Sequence, residues 1–150
     1  MDSPTITQRH GPLSMECGVA VTICAAADRI WRILTDAADF PRWNSTITAI
    51  EGDIREGGRL RLHAPGTDRT FSPTVSDVVP SRRMTWTGGL SLVFKGVRTF
   101  ELRPREDGCT DFIMRERFAG LMLPFVKRSL PDFGPIFTSY ANDLKREAER

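Results

Sequence analysis

The chain is poor in the residues that most often do chemistry: 150 residues contain two histidines, one tyrosine and three cysteines. His10 and His63 have no paired cysteines and no carboxylate cluster around them, so no metal centre is expected. Cys17, Cys24 and Cys109 lack CxxC spacing and leave an odd one over. Cys24 ends an apolar stretch and reads as a small core residue, so nothing demands an oxidising compartment. No apolar run approaches the length of a membrane span, and Met1–Thr5 lacks the hydrophobic core of a secretion signal. These absences predict a cytoplasmic protein without integral membrane association. An excess of one charge is missing too: 21 basic and 19 acidic residues leave +2. The arginines are scattered, so nucleic acid is not an expected partner. No Ser-His-Asp grouping can be assembled, no cofactor is implied, and Glu56-Gly57-Gly58-Arg59 is too short for a phosphate loop.

What is present is an ordinary globular composition, 40% hydrophobic and 27% charged, in a chain long enough for one domain. Residues 1–15 read as a flexible leader and 16–150 as a single domain. Cys17–Cys24 (C-G-V-A-V-T-I-C) has the β-branched character of a strand. Ile30, Ile33, Leu34 and Ala37 then fall on one helical face, with Trp31 beside it, in a helix that has no N-cap oxygen but carries Asp28 in its first turn. Asp39 and Pro41 suit a short helical turn that seats Trp43. Strands follow: 47–51, 59–63, 69–79 (with Pro73 arguing for an edge or bulge), one bearing Met84 and Trp86, then 92–103 and 109–118. Val126, Leu130, Phe133, Phe137, Tyr140 and Leu144 recur at helical spacing, and Pro131, Gly134 and Pro135 should kink that helix or delay its start. The pattern predicts an α+β domain in which an antiparallel meander is covered on one face by the C-terminal helix.

Several stretches resemble the SRPBCC superfamily of START-like, helix-grip proteins, in particular its bacterial polyketide cyclase/dehydrase-like branch. They are I-W-R-I-L-T-D (30–36), F-P-R-W-N (40–44), I-E-G (50–52), G-G-R-L (57–60), G-V-R-T-F-E-L-R-P (96–104), E-D-G-C-T-D-F (106–112) and E-R-F-A-G (116–120). The resemblance covers roughly residues 19–149. It implies a curved antiparallel sheet of about seven strands wrapped around a long C-terminal helix, with two short helices after the first strand and a hydrophobic cavity between sheet and helix. Ser45 stands where the family often has proline. Arg98 stands where relatives often carry histidine, and arginine cannot take over a proton-carrying role.

Two charges ride on the apolar parity of the last two strands. Arg98 is in step with Phe100 and Leu102, and Glu116 with Phe112, Met114 and Phe118. A register in which residue numbers sum to 214 keeps both apolar stripes on one face and sets Arg98 opposite Glu116, while a slip of two residues preserves the face and changes the partners. The pair then either orients the polar group of an otherwise apolar ligand or is a structural ion pair tying two strands together. They are the only catalytic candidates. The expected cavity lining is Phe71, Met84, Trp86, Phe94, Arg98, Phe100, Met114, Glu116 and Phe118 from the sheet, with Phe133, Phe137 and Tyr140 from the helix. Trp86 serves equally as plain core, and Tyr140 reads more as a core aromatic with its hydroxyl at the edge than as a ligand contact. Asp77 either faces inward or ends its strand, and His63 falls on the outward parity.

Three function classes follow. The first is binding of a small hydrophobic molecule, lipid-like, aromatic or polyketide-like, by a monomer or weak homodimer. The second is a cyclase, aromatase or dehydratase using the same cavity, in which a folded substrate needs few polar groups. The third, a protein-docking module, predicts an apolar convex face. The outward parity (Lys95, Thr99, Glu101, Arg103, Asp111, Arg115, Arg117) is polar instead.

Overall fold

Two strands, not one, precede the first helix. In the computed structural model, which describes residues 3–90 and 92–150, β1 (Thr5–His10) pairs antiparallel with β2 (Ser14–Ile23) from Thr5↔Ala20 to His10↔Met15. The leader expected to be flexible is therefore a strand over these six residues; its residues 1 and 2 lie outside the described residues. The physical reason is a tight reversal at Gly11, whose N–H donates to Ser14 O at 2.7 Å. It returns the chain along the otherwise unpaired edge of β2, and Ile6 packs onto the core.

Helix α1 (Ala27–Thr35) starts at Ala26 with no side-chain cap and buries Ile30 and Leu34. A 3₁₀ turn (Ala37–Asp39) and α2 (Phe40–Trp43) follow, burying Phe40 and Trp43. Asp39 does not cap this turn; its carboxylate accepts from Arg42 at 2.8 and 2.9 Å.

The meander divides into two sheets. β3 (Ala49–Glu51), β4 (Arg61–His63) and β5 (Thr70–Phe71) form one of three strands. β6 (Thr74–Val79), β7 (Arg83–Leu90), β8 (Phe94–Pro104) and β9 (Thr110–Ala119) join β1 and β2 in one of six, ordered β1-β2-β9-β8-β7-β6. The stretch 69–79 breaks at Pro73, which has no N–H to donate to a ladder. That break carries Phe71 off the large sheet and leaves it 56% exposed, so it does not share the inner face with Trp86. A bulge between Ser76 and Val79, with Asp77 at φ 52, turns Asp77 outward into solvent.

After β9 come α3 (Leu123–Val126), a 3₁₀ turn (Lys127–Ser129) and α4 (Phe133–Ala148). The prolines delay α4 rather than kink it. Asp132 caps its start by accepting the Gly134 N–H at 3.0 Å, and Pro135 sits in the first turn, where N–H groups have no helical partner anyway. The helix lays Phe137, Tyr140, Ala141, Leu144 and Ala148 against the sheet. No helix among the described residues is long and apolar enough to cross a membrane.

Cys24 is not a core residue. The buried run of β2 ends at Ile23; Cys24 lies just beyond it, exposed, and is disulfide-bonded to Cys109 in the β8–β9 turn, 85 residues away. Around it Arg29 Nε donates to Ala148 O at 2.8 Å and Lys145 Nζ to Thr22 O at 2.6 Å. The Cys24 N–H donates to Glu149 at 2.8 Å. One end of the molecule is thus fastened covalently and by hydrogen bonds. The opposite end, the tip, consists of the turns between β1 and β2, between β7 and β8, and between β9 and α3.

Candidate functional site

The antiparallel registers align one residue from each strand of the large sheet into a row across its inner face. The row reads Val75–Trp86–Arg98–Glu116–Cys17–Gln8. The row on the stapled side is Met84–Phe100–Met114–Val19–Ile6. The row on the tip side includes Gly88, Gly96, Phe118 and Met15. A band of polar groups therefore crosses an otherwise apolar face, and on β7 and β8 its tip-side neighbours are glycines. At Gly96 a Cβ would lie 3.1 Å from the Phe118 ring and 3.6 Å from Glu116 Oε1, so an alanine there would require the ring to give by a few tenths of an ångström.

Arg98 and Glu116 face each other in the expected register. Arg98 Nε donates to Glu116 Oε2 at 2.5 Å, with the two side chains only 16% and 13% exposed. The guanidinium carbon also lies 5.3 Å from the centre of the Phe137 ring on α4, a cation–π approach that ties the charge to the helix. Burial works against the arginine's charge, but the Glu116 carboxylate, with Tyr140 and Cys17, holds its pKa above the ordinary value. It is a fixed cation, and among the described residues its guanidinium makes one hydrogen bond, through Nε.

Rings from α4 and the sheet meet over this band. Trp86 and Phe100 lie 4.8 Å apart, Phe100 and Tyr140 6.3 Å, and Phe112 stacks on Tyr140 at 6.4 Å. Within this packed region two polar atoms have no protein partner among the described residues: Trp86 Nε1 from the sheet and Tyr140 Oη from the helix. Trp43 Nε1, on a ring 6.0 Å from Tyr140, is a third. Each such group costs on the order of 1–3 kcal/mol when left unsatisfied. Burial pushes the Tyr140 phenol well above its ordinary pKa, with Arg98 opposing only in part, so the hydroxyl stays protonated.

Of the twelve residues named from the sequence, Met84, Trp86, Phe100, Met114, Phe118, Phe137 and Tyr140 are buried. Arg98 and Glu116 are half-buried beside them, while Phe94 and Phe133 gather with Phe118, Met15 and Leu123 in a smaller cluster near the tip. Phe71 is brought to none of these. Sequence reasoning missed Cys17 and Gln8, which extend the row to the edge of the sheet. Cys17 shares parity with Val19 and Val21, a signal for the inner face, but its neighbour Glu116 is almost a hundred residues away. Burial raises the Cys17 thiol pKa, a hydrogen bond from Gln8 partly countering it. Beside these two residues a cleft of about 270 Å³ opens between β1–β2 and the start of α4, with Asp132 and Lys127 on its far wall. His63 lies at the surface against Glu51, at 2.9 Å. Among the described residues no group of three His, Cys, Asp or Glu side chains is arranged to hold a metal ion.

The family model described as "Polyketide cyclase / dehydrase and lipid transport" matches residues 16–149. Comparison with curated proteins finds no match. Among solved structures, a Rhodobacter sphaeroides protein is similar at 19% identity and a TM-score of 0.72, with 97% of each chain covered. A START superfamily protein from Mycobacterium smegmatis matches at 19% identity and a TM-score of 0.68, covering 89% of this chain and 97% of that one. The di-domain ARO/CYC StfQ of the steffimycin biosynthetic pathway matches at 13% identity and 0.69, over 91% of this chain and 51% of its own. At these identities the likeness is one of fold. The family match over nearly the whole chain, on a sheet that carries its C-terminal helix across one face, places this protein in the polyketide cyclase/dehydrase and lipid transport family.

Proposed function

We propose that the chain binds a small hydrophobic molecule, lipid-like, aromatic or polyketide-like, between the six-stranded sheet and α4. The observation that carries this reading is the pair of buried atoms without a partner among the described residues, Trp86 Nε1 and Tyr140 Oη, beside the fixed charge of Arg98. All three can donate hydrogen bonds, and the walls around them are aromatic and methionine side chains. The arrangement fits an apolar body that ends in an acceptor, such as a ketone or a carboxylate. Phe100, Phe112 and Tyr140 now share the space, so binding requires these rings to turn or α4 to ride up from the sheet. Thermal shift and native mass spectrometry against a panel of fatty acids and polycyclic ketones test the reading. Acceptor-bearing members should raise the melting temperature, and Tyr140→Phe should shrink that rise. A panel that leaves the melting curve unmoved and the mass spectrum bare would remove the proposal.

A second reading, supported by the family match, is a cyclase, aromatase or dehydratase in the same place. Arg98 cannot shuttle a proton. In this reading Tyr140 and Arg98 stabilise a developing enolate by hydrogen bonding and charge while the walls fold the substrate. Turnover of a polyketide-like substrate, lost in a folded Arg98→Gln variant, would favour it over simple binding.

A further inference from the structure

The tip of the molecule exposes large apolar side chains from two turns that the backbone stitches together. Leu121 N–H donates to Leu92 O at 3.0 Å and Met122 N–H to Val93 O at 2.9 Å, while Gly120 N–H donates to Leu13 O at 3.2 Å. The stitch needs glycine at 120, where φ is +141 and a Cβ would lie 2.3 Å from Val93 O. From this seam Leu92 projects at 80% exposure and Leu121 at 65%, with Leu90 on the same turn as Leu92 and Phe125, at 78%, on the α3 helix that follows. Single exposed apolar residues are ordinary, but a contiguous group marks an interaction surface.

The charge around this group is one-sided. Residues 10–15, 88–97 and 119–131 contain no aspartate or glutamate, yet they hold Lys95, Lys127 and Arg128; the acids immediately beyond them are Glu16, opposite Arg9, and Asp132. None of these basic residues, Arg9 included, makes an ion pair among the described residues, as is also true of eight of the chain's other sixteen arginines. We propose that the tip docks on the surface of an anionic lipid bilayer, with Leu92, Leu121 and Phe125 entering the interface and Lys95, Lys127 and Arg128 meeting the headgroups. The side chains protrude from two turns and from the short helix α3 instead of lining a groove, which suits a soft, flat partner. The basic rim matches the negative potential of such a surface. A second copy of the chain suits it badly: a two-fold pairing of tips sets like charges against each other. The proposal rests on exposed residues and is independent of what the interior binds.

Co-sedimentation of the full chain with vesicles tests it, using phosphatidylcholine alone and phosphatidylcholine containing phosphatidylserine. The wild type should sediment with the mixed vesicles and more weakly with the neutral ones. Leu92→Glu combined with Phe125→Glu should weaken the partition by roughly tenfold or more, with an unchanged melting temperature because both residues are exposed. Lys127→Gln with Arg128→Gln should remove most of the preference for phosphatidylserine. Absence of wild-type sedimentation with either vesicle overturns the proposal. So does partition that survives the double glutamate variant, or a wild-type dimer in light scattering that the same variant splits.

Discussion

Tyr140 illustrates the conflict between holding a fold together and keeping a polar group in reserve. Its hydroxyl is buried and has no protein partner among the described residues, so Tyr140→Phe should stabilise the free protein by about 1–2 kcal/mol in urea denaturation. The same variant should bind acceptor-bearing hydrophobic ligands less well. The Arg98–Glu116 pair behaves in the opposite way. Glu116→Gln leaves a guanidinium without its counter-charge and should cost about 3 kcal/mol, whereas Arg98→Met with Glu116→Leu should recover most of that loss. A cycle of urea midpoints across the single and double variants reads the difference. That both charges share the inner face was legible in the sequence, because alternation on two adjacent strands fixes parity. That they face each other is settled by the register of β8 on β9, since a slip of two residues would keep the face. Cys17 and Gln8 were not legible, since their place in the row depends on β2 lying against β9, a pairing that no local pattern encodes. The partnerless atoms were equally invisible, because whether a hydroxyl finds a partner is settled by packing and not by spacing.

At the level of elements, punctuation decided more than periodicity. Pro73 divided one long apolar alternation into strands of two different sheets and sent Phe71 to the surface, although parity had placed it inward. Asp132 and Pro135 set the true start of α4, so the apolar spacing at Val126 and Leu130 belongs to the short helix and turns before it. Ser45 ties the end of α2 to α4: its N–H and its hydroxyl donate to the buried Asp143 carboxylate at 2.8 and 2.6 Å. Ser45→Pro removes both donors and should cost about 2–4 kcal/mol, while Ser45→Ala, which removes one, should cost about half as much. Chemical denaturation of the two variants, compared side by side, separates the contributions.

For the whole molecule, the layered architecture was readable because one face of the sheet and one stripe of α4 are apolar over most of their length. The cross-link was not, because Cys24 sits next to an apolar run and Cys109 in a polar turn. Reduction of the disulfide, which closes a loop across 85 positions, should lower the unfolding free energy by about 2–4 kcal/mol, measurable with and without reductant. Acid should loosen the same end. Glu147 is held below its ordinary pKa of 4.5 by Arg42, and Glu149 below 4.5 by the Cys24 N–H and Lys145. Depressed carboxylates contribute stability that is present above the unfolded value and lost as pH falls through the folded one. The urea midpoint should therefore hold steady down to about pH 5 and fall below it, and Glu147→Gln with Glu149→Gln should flatten that fall. Because covalent and ionic fastenings gather at the Cys24 pole while the seam at Gly120 is held by a few backbone bonds, breathing of the native state should be lopsided. In a deuterium exchange time course the amides of Val93, Leu121 and Met122 should be labelled early and those of Ile23, Phe112 and Leu144 last, as in a clamshell hinged at its disulfide.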